Sequence, residues 1–194
     1  MEPAPLPKTA LGYHRILSPT AGVRVSPLCL GAMNFGDAWK GFMGECDKKT
    51  TFEILDFFHE SGGNFIDTAN NYQNQESEQW IGEWMEERGV RNEIVLATKY
   101  TSGYVSDPKA LKSNYTGNNI KSMRSSVEAS LKLLKTTYID VLYVHWWDYT
   151  TSIEEIMRGL NTLADQGKIL YLGVSDTPAW ILSKGIAFAR GLPM

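Results

Sequence analysis

At 194 residues, 43% of them hydrophobic, the chain carries apolar material for one globular core, and its length suggests one domain, at most two. A formal net charge of -3 leaves no basic footprint for nucleic acid, and no run of about 18 apolar residues offers a membrane span. The opening MEPAPLPK lacks the basic-then-apolar pattern of a secretory leader. Cys29 and Cys46 have no CxxC spacing and fit reduced thiols of a cytoplasmic protein. His14, His59 and His145 are too scattered to suggest a metal site.

Residues 1–20 are Pro-rich and read as a tail or an early hairpin, with the folded domain over 21–194. Short apolar runs follow at Val25–Gly31, Asn64–Thr68, Ile94–Thr98, Ile139–His145 and Ile169–Val174. They are rich in β-branched and large apolar residues, as buried parallel strands are. Helical patterns alternate with them. Thr50–Glu60 is stopped by Ser61-Gly62-Gly63, and Glu78–Glu87 by Gly89. Ile120, Met123, Val127, Leu131 and Leu134 form one stripe. Ile153, Ile156, Met157, Leu160, Leu163 and Ala164 form another, opened by Ser152 and Glu155 as a capping box and followed by Gly167. Thr177 then Pro178 reads as an N-cap followed by proline at the first helical position. Five strand-then-helix repeats predict a parallel sheet covered by helices, either an open doubly wound sheet or a closed barrel. Thr101–Asn118 is a long polar connection, a functional loop or a plain surface excursion.

Each predicted strand ends in something small or polar: Gly31, Asp67-Thr68 with Asn70, Asn71 and Tyr72 just after, Lys99, His145, and Ser175-Asp176. In parallel α/β folds these ends share one side, where ligands bind. A carboxylate, a phenol, an ammonium and an imidazole are thereby expected at one rim. A buried Lys and Asp need pairing, and an ammonium beside a phenol favours the ionised phenol. That arrangement suits a phenol acting as general acid near neutral pH.

These residues resemble a known family. Gly62-Gly63-Asn64-Phe65-Ile66-Asp67-Thr68-Ala69-Asn70-Asn71-Tyr72 is similar to the aldo-keto reductase signature, and Ser77–Trp84 to its continuation. Ile94–Lys99, Ile139–His145 and Leu172–Asp176 resemble the family's lysine, histidine and nicotinamide-contacting strands. Trp146-Trp147-Asp148 and Asp176-Thr177-Pro178-Ala179-Trp180 most resemble the fungal aryl-alcohol dehydrogenase and norsolorinic acid reductase-like branch. The resemblance runs from about residue 11 to 194. It implies a (β/α)8 barrel, NADPH as cofactor and a small carbonyl or alcohol substrate. Tyr72 would be the proton donor, Lys99 its tuning cation held by Asp67, and His145 the group that orients the carbonyl. Gly31, Ala32 and Met33 would line the nicotinamide ribose, while Ser175 and Asp176 would meet the carboxamide. Many relatives have Asn where Asp176 stands, and Asp cannot donate to the amide oxygen. Phe35, Trp39 and Trp146 are candidate walls of the substrate pocket.

A complete barrel of this type takes about 250 residues. The chain ends at Gly191-Leu192-Pro193-Met194, after about five strand–helix units, so an incomplete barrel is expected. The parts that grip the adenosine 2′-phosphate fall outside it, which predicts weak or absent NADPH binding. The fifth strand should be an open apolar edge that leaves Ile169 and Tyr171 unpartnered, to be covered by a homodimer or higher oligomer. Two further readings stay open. The same tetrad could serve a cofactor-independent isomerase, dehydratase or cyclase, or the chain could be a non-catalytic oligomerisation partner.

Overall fold

The computed structural model describes residues 5–191. Met1–Ala4 of the Pro-rich start and Leu192–Met194 of the terminal run lie outside the described residues. Strands β1 (Arg15–Ser18) and β2 (Ala21–Val25) form an antiparallel hairpin that straddles residue 20. Asn64 ties it to the sheet: its side-chain oxygen accepts from the Ser26 N–H at 2.7 Å, and its amide donates to the Arg24 carbonyl at 3.0 Å. Leu17, Val23 and Val25 then pack against Val95, Ala97 and Val141. The hairpin therefore sits beneath the N-terminal ends of the strands and floors the inner core.

The main sheet is wholly parallel. Its order is β3 (Leu30–Gly31), β4 (Phe65–Asp67), β5 (Val95–Tyr100), β6 (Ile139–Val144) and β7 (Ile169–Val174). Among the described residues six helices accompany it: α1 (Lys40–Met43), α2 (Lys48–Glu60), α3 (Glu76–Arg88), α4 (Ile120–Leu133), α5 (Ile153–Asp165) and α6 (Ala179–Ala189). Side chains cap three of them. Asp47, Asn119 and Ser152 accept from the backbone N–H of Thr50, Ser122 and Glu155. Two core clusters lie between sheet and helices, one around Leu55, Ile66, Ile81 and Trp84, the other around Met123, Val127, Leu142 and Leu160. The third is the inner one, with Phe65, Tyr143 and Tyr171 at its margin. The architecture is α/β, five strand–helix units of a (β/α)8-type barrel with β3 and β7 as its edges among the described residues.

Several expectations need correction. The first strand is two residues long, not seven, because Ser26-Pro27 breaks the chain and the Ser26 hydroxyl closes a turn onto the Leu28 carbonyl. The capping box at α5 is half formed: the Glu155 carboxylate accepts from the Ile120 N–H at 3.0 Å and so caps α4 instead. Pro178 is itself the residue before α6, and the Thr177 hydroxyl donates to the Ser175 carbonyl. Ile169 is buried rather than stranded at the edge. The exposed strand residues are Leu170, Leu172 and Val174, next to an apolar groove of about 640 Å³ between β7, α5 and α6.

Candidate active site

The C-terminal ends of β4, β5 and β6 deliver the site. The ladder runs past β4: Thr68 N–H donates to the Ala97 carbonyl at 2.9 Å and Asn70 N–H to the Lys99 carbonyl at 3.1 Å. The chain then turns left-handed through Gln73–Gln75, and that turn brings Tyr72 back over the sheet. Lys99 lies in β5 and is only 8% exposed. Its ammonium donates to Asp67 Oδ2 at 2.5 Å, the Thr68 carbonyl at 2.7 Å and the Tyr72 hydroxyl at 3.3 Å. An ammonium has three donors, and here all three are used. Nothing is left to rotate toward solvent, so the cation is fixed beneath the phenol oxygen.

His145 follows β6, held by its backbone N–H to the Tyr100 carbonyl at 3.2 Å and the Thr101 hydroxyl at 3.3 Å. Its ring meets the Tyr72 ring edge-on, with centroids 5.8 Å apart. Burial, and then the nearby Lys99 cation, lower its pKa, which keeps the imidazole neutral at pH 7. Its Nδ1 is enclosed without a partner. Asp67, Tyr72, Lys99 and His145 are therefore one contiguous cluster.

The remaining candidates separate. Gly31 pairs with Asp67 in the sheet, and no heavy atom comes within 4 Å of where a Cβ would stand, so bare backbone borders the cluster. Ala32 does not line the ribose: it is fully buried among Leu55 and Ile81, its N–H donates to the Asp67 carbonyl at 2.8 Å, and its carbonyl accepts from the Ser77 hydroxyl and the Phe35 N–H. Met33 is exposed. Ser175 is half-buried at the end of β7. Asp176 is exposed, with φ 38°, and its carbonyl accepts from Trp147 N–H. Trp39 packs edge-on against Tyr72 at 6.3 Å, and Phe42 lies 5.7 Å beyond it. Trp146 is half-buried and donates its indole N–H to the Ser102 hydroxyl at 3.0 Å. Phe35 is not a pocket wall: it is 4% exposed and packs in the helix-side core. The large apolar groove shares no residue with the tetrad. Sequence reasoning passed over Phe42, Gln73, Asn74 and Glu76, all next to Trp39 or its loop. No glycine marks the left-handed turn that places the last three.

A five-unit parallel α/β array with its polar cluster at the C-terminal rim defines a barrel-type enzyme fold. Residues 27–186 match the model of the aldo/keto reductase family, and the chain belongs to that family. It is 65% identical over 188 residues to norsolorinic acid reductase A of Aspergillus parasiticus, covering 96% of this chain and 48% of that protein. It is 55% identical over 193 residues to the aryl-alcohol dehydrogenase [NADP(+)] of Phanerodontia chrysosporium, covering 97% of this chain and 50% of that protein. The chain thus spans about half the length of the curated relatives it matches. Among solved structures it resembles aldo-keto reductase AKR11C1 from Bacillus halodurans in its holo form, with a TM-score of 0.70 and 27% identity over 84% of this chain and 50% of that one.

Proposed function

We propose that the protein reduces an aldehyde or ketone of aryl or polyketide-like type to the alcohol, with NADPH as reductant and Tyr72 as proton donor. The observation that carries this reading is the complete commitment of the Lys99 ammonium to Asp67, Thr68 and Tyr72. Because Tyr72 Oη accepts from Lys99, its own proton is free for a substrate oxygen. As that proton leaves, the ammonium stabilises the negative charge on the phenol oxygen, and Asp67 keeps the ammonium in place. Neutral His145 has one ring N–H with which to orient the carbonyl. Trp39 and Trp146 are the proposed walls for a flat substrate. The names of the relatives, a norsolorinic acid reductase and an aryl-alcohol dehydrogenase, support that substrate class.

NADPH, when bound, supplies the hydride that reaches the carbonyl carbon. The bare backbone at Gly31, with the exposed Met33, fits the nicotinamide-ribose end, and Ser175 and Asp176 would meet the carboxamide. These residues would meet only the nicotinamide end of the cofactor, and none of them is proposed to reach the adenosine 2′-phosphate. Binding is therefore proposed to be weak. A charge-assisted contact is worth roughly 1.5–3 kcal/mol, so two missing ones weaken binding by about two to four orders of magnitude. The free Cys29 and Cys46 suit a reducing, cytoplasmic setting, and no helix among the described residues is long and apolar enough to cross a membrane. A homodimer or higher oligomer is proposed as well, supported by the exposed Leu170, Leu172, Leu182 and Ile186 at one end.

The test is turnover of an aromatic aldehyde with NADPH, alongside Tyr72→Phe. Removing the phenolic proton should lower turnover by at least about a hundredfold. Unchanged turnover in the variant removes Tyr72 from the mechanism. Conversion that needs no NADPH yet still depends on Tyr72 would replace reduction with acid–base chemistry.

A further inference from the structure

Immediately after Tyr72, three consecutive non-glycine residues hold left-handed backbone: Gln73 at φ 51°, Asn74 at φ 51° and Gln75 at φ 83°. That region favours glycine, so tertiary contacts must hold these residues there. Gln73 shows what they are. Its side chain is fully buried, Oε1 accepts from the Trp39 N–H at 2.7 Å, and Nε2 donates to the Met33 carbonyl at 3.1 Å. One amide thus grips both ends of the segment 33–39. In its middle, Gly36 has φ 150°, and a Cβ there would stand 2.3 Å from the Gln73 Cβ. The grip is tight enough to require glycine.

The neighbouring residues complete the hold. Asn74 Oδ1 accepts from the Trp39 indole N–H at 3.3 Å, and Glu76 Oε2 accepts from the N–H groups of Asp37 and Ala38 at 2.6 and 2.9 Å. Every one of these bonds runs from the Tyr72 turn to the loop that carries Trp39. The phenol and the indole, 6.3 Å apart, are therefore set by one structural unit rather than by two independent loops.

We propose that Gln73 is a positioning residue for substrate recognition: it locks Trp39 beside Tyr72 as a fixed flat wall that favours planar aromatic carbonyl compounds over aliphatic ones. This rests on the assignment of Trp39 to the substrate wall. With Gln73 in place, the indole meets an aryl ring without having to be ordered first. Without it, the loop must be ordered on binding, and only ligands that stack on the indole suffer. An aliphatic chain, which has no ring to stack, is indifferent to that loss.

The test uses the protein labelled with fluorotryptophan and followed by fluorine NMR, with the Trp39 resonance among its six tryptophans identified by Trp39→Phe. Naphthylmethanol and hexanol are the probes. Gln73→Met conserves length and removes both bonds. The expected result is a shifted, broadened Trp39 resonance with the core Trp84 resonance unmoved. Naphthylmethanol binding should weaken by about threefold to tenfold, and hexanol binding should not change. An unmoved Trp39 resonance, or equal losses for both alcohols, overturns the inference. If naphthylmethanol leaves Trp39 of the unmodified protein undisturbed, both the inference and the aryl-substrate reading fail. If Trp39 senses it with equal affinity in both proteins, the inference alone fails. Should Gln73→Met not fold, hydrogen exchange on the unmodified protein decides. A Trp39 amide protected about tenfold or more over Gly41 sustains the grip, and equal exchange overturns it.

Discussion

Strands β5 and β7 have the same length and lie one strand apart, yet they are packed in opposite ways. All six residues of β5 are buried, with α3 and α4 behind them and the inner core in front. In β7 burial alternates, and Leu170 and Leu172 remain 49% and 45% exposed. The fixed group of the site, Lys99, stands on the first. The residues proposed for the carboxamide, Ser175 and Asp176, follow the second. Proton handling demands a geometry held to a fraction of an ångström, which only a strand packed on both faces supplies. A cofactor contact at the looser strand can be completed when the ligand arrives.

That contrast makes a stability prediction with the largest expected effect. Leu142 in β6 is 1% exposed and belongs to the cluster with Met123 and Leu160. Leu142→Ala should cost about 2–5 kcal/mol, the range for a buried leucine that leaves a cavity. Leu172→Ala, on the groove beside β7, should cost less than about 1 kcal/mol. Urea denaturation of the two variants measures the difference. Equal losses would mean that β7 is covered in solution, as an oligomer through this face would make it.

The same contrast explains what was legible in the sequence. Strands β5, β6 and β7, and helices α2 to α5, follow from apolar runs and from stop or cap residues such as Ser152 and Gly89. Tyr72, Lys99 and His145 stand out because polar groups rarely end such runs. The short β3 was not legible: Val25–Gly31 looks like one strand, but Pro27 and the Asn64 side chain divide it between hairpin and barrel. Phe35 and Trp39 look alike as rim aromatics, and only packing sends one into the core and the other to Tyr72. The Gln73 grip has no sequence signal, since left-handed turns usually carry Gly or Asn and this one opens on Gln.

Behind β5 the strongly packed region holds a charge problem. Glu78 in α3 is fully buried, with Oε1 accepting from the Thr98 hydroxyl at 2.6 Å and Oε2 without a partner. Burial pushes its carboxyl up to about 7, against the hydrogen bond from Thr98, the nearby Ser130 hydroxyl and the attraction of Lys99. A raised folded-state pKa means that this contribution to stability is complete below about pH 4.5, the ordinary glutamate value, and is lost as pH rises through about 7. The protein should lose about 2 kcal/mol of stability between pH 5 and pH 8 through this group. Glu78→Gln cannot ionise, so its stability should stay level over that interval and exceed that of the unmodified protein at the alkaline end. Parallel stability curves for the two proteins would show that Glu78 ionises freely.

A smaller effect than at Glu78 lies on the loops at the rim, where Asp148 joins the long connection 101–118 to the segment after β6. Burial alone would raise the Asp148 carboxyl, but backbone N–H groups of Asn118, Thr150 and Thr151, with the Thr151 hydroxyl, outweigh it and hold the pKa at about 2. Asn118 returns the contact: its side-chain oxygen accepts from the Asp148 N–H at 2.8 Å, and its amide donates to the Thr101 hydroxyl and the Trp146 carbonyl. Asp148→Ala should therefore cost about 1 kcal/mol at pH 7, the size of a lost side-chain cap. The sign with pH is the reverse of that for Glu78. A depressed folded-state pKa supports the fold above about pH 4, the unperturbed aspartate value, and the support fades as pH falls toward about 2. Thermal melts should thus show the gap between Asp148→Ala and the unmodified protein narrowing from pH 5 to pH 2. The Trp84 environment in the core should stay unchanged in the variant, while Trp146, whose carbonyl hangs on Asn118, should become more accessible to a quencher. A gap that is constant across the acid range would mean that the carboxylate charge is not what holds the loop. The reciprocal Asn118 contacts would then be the anchor.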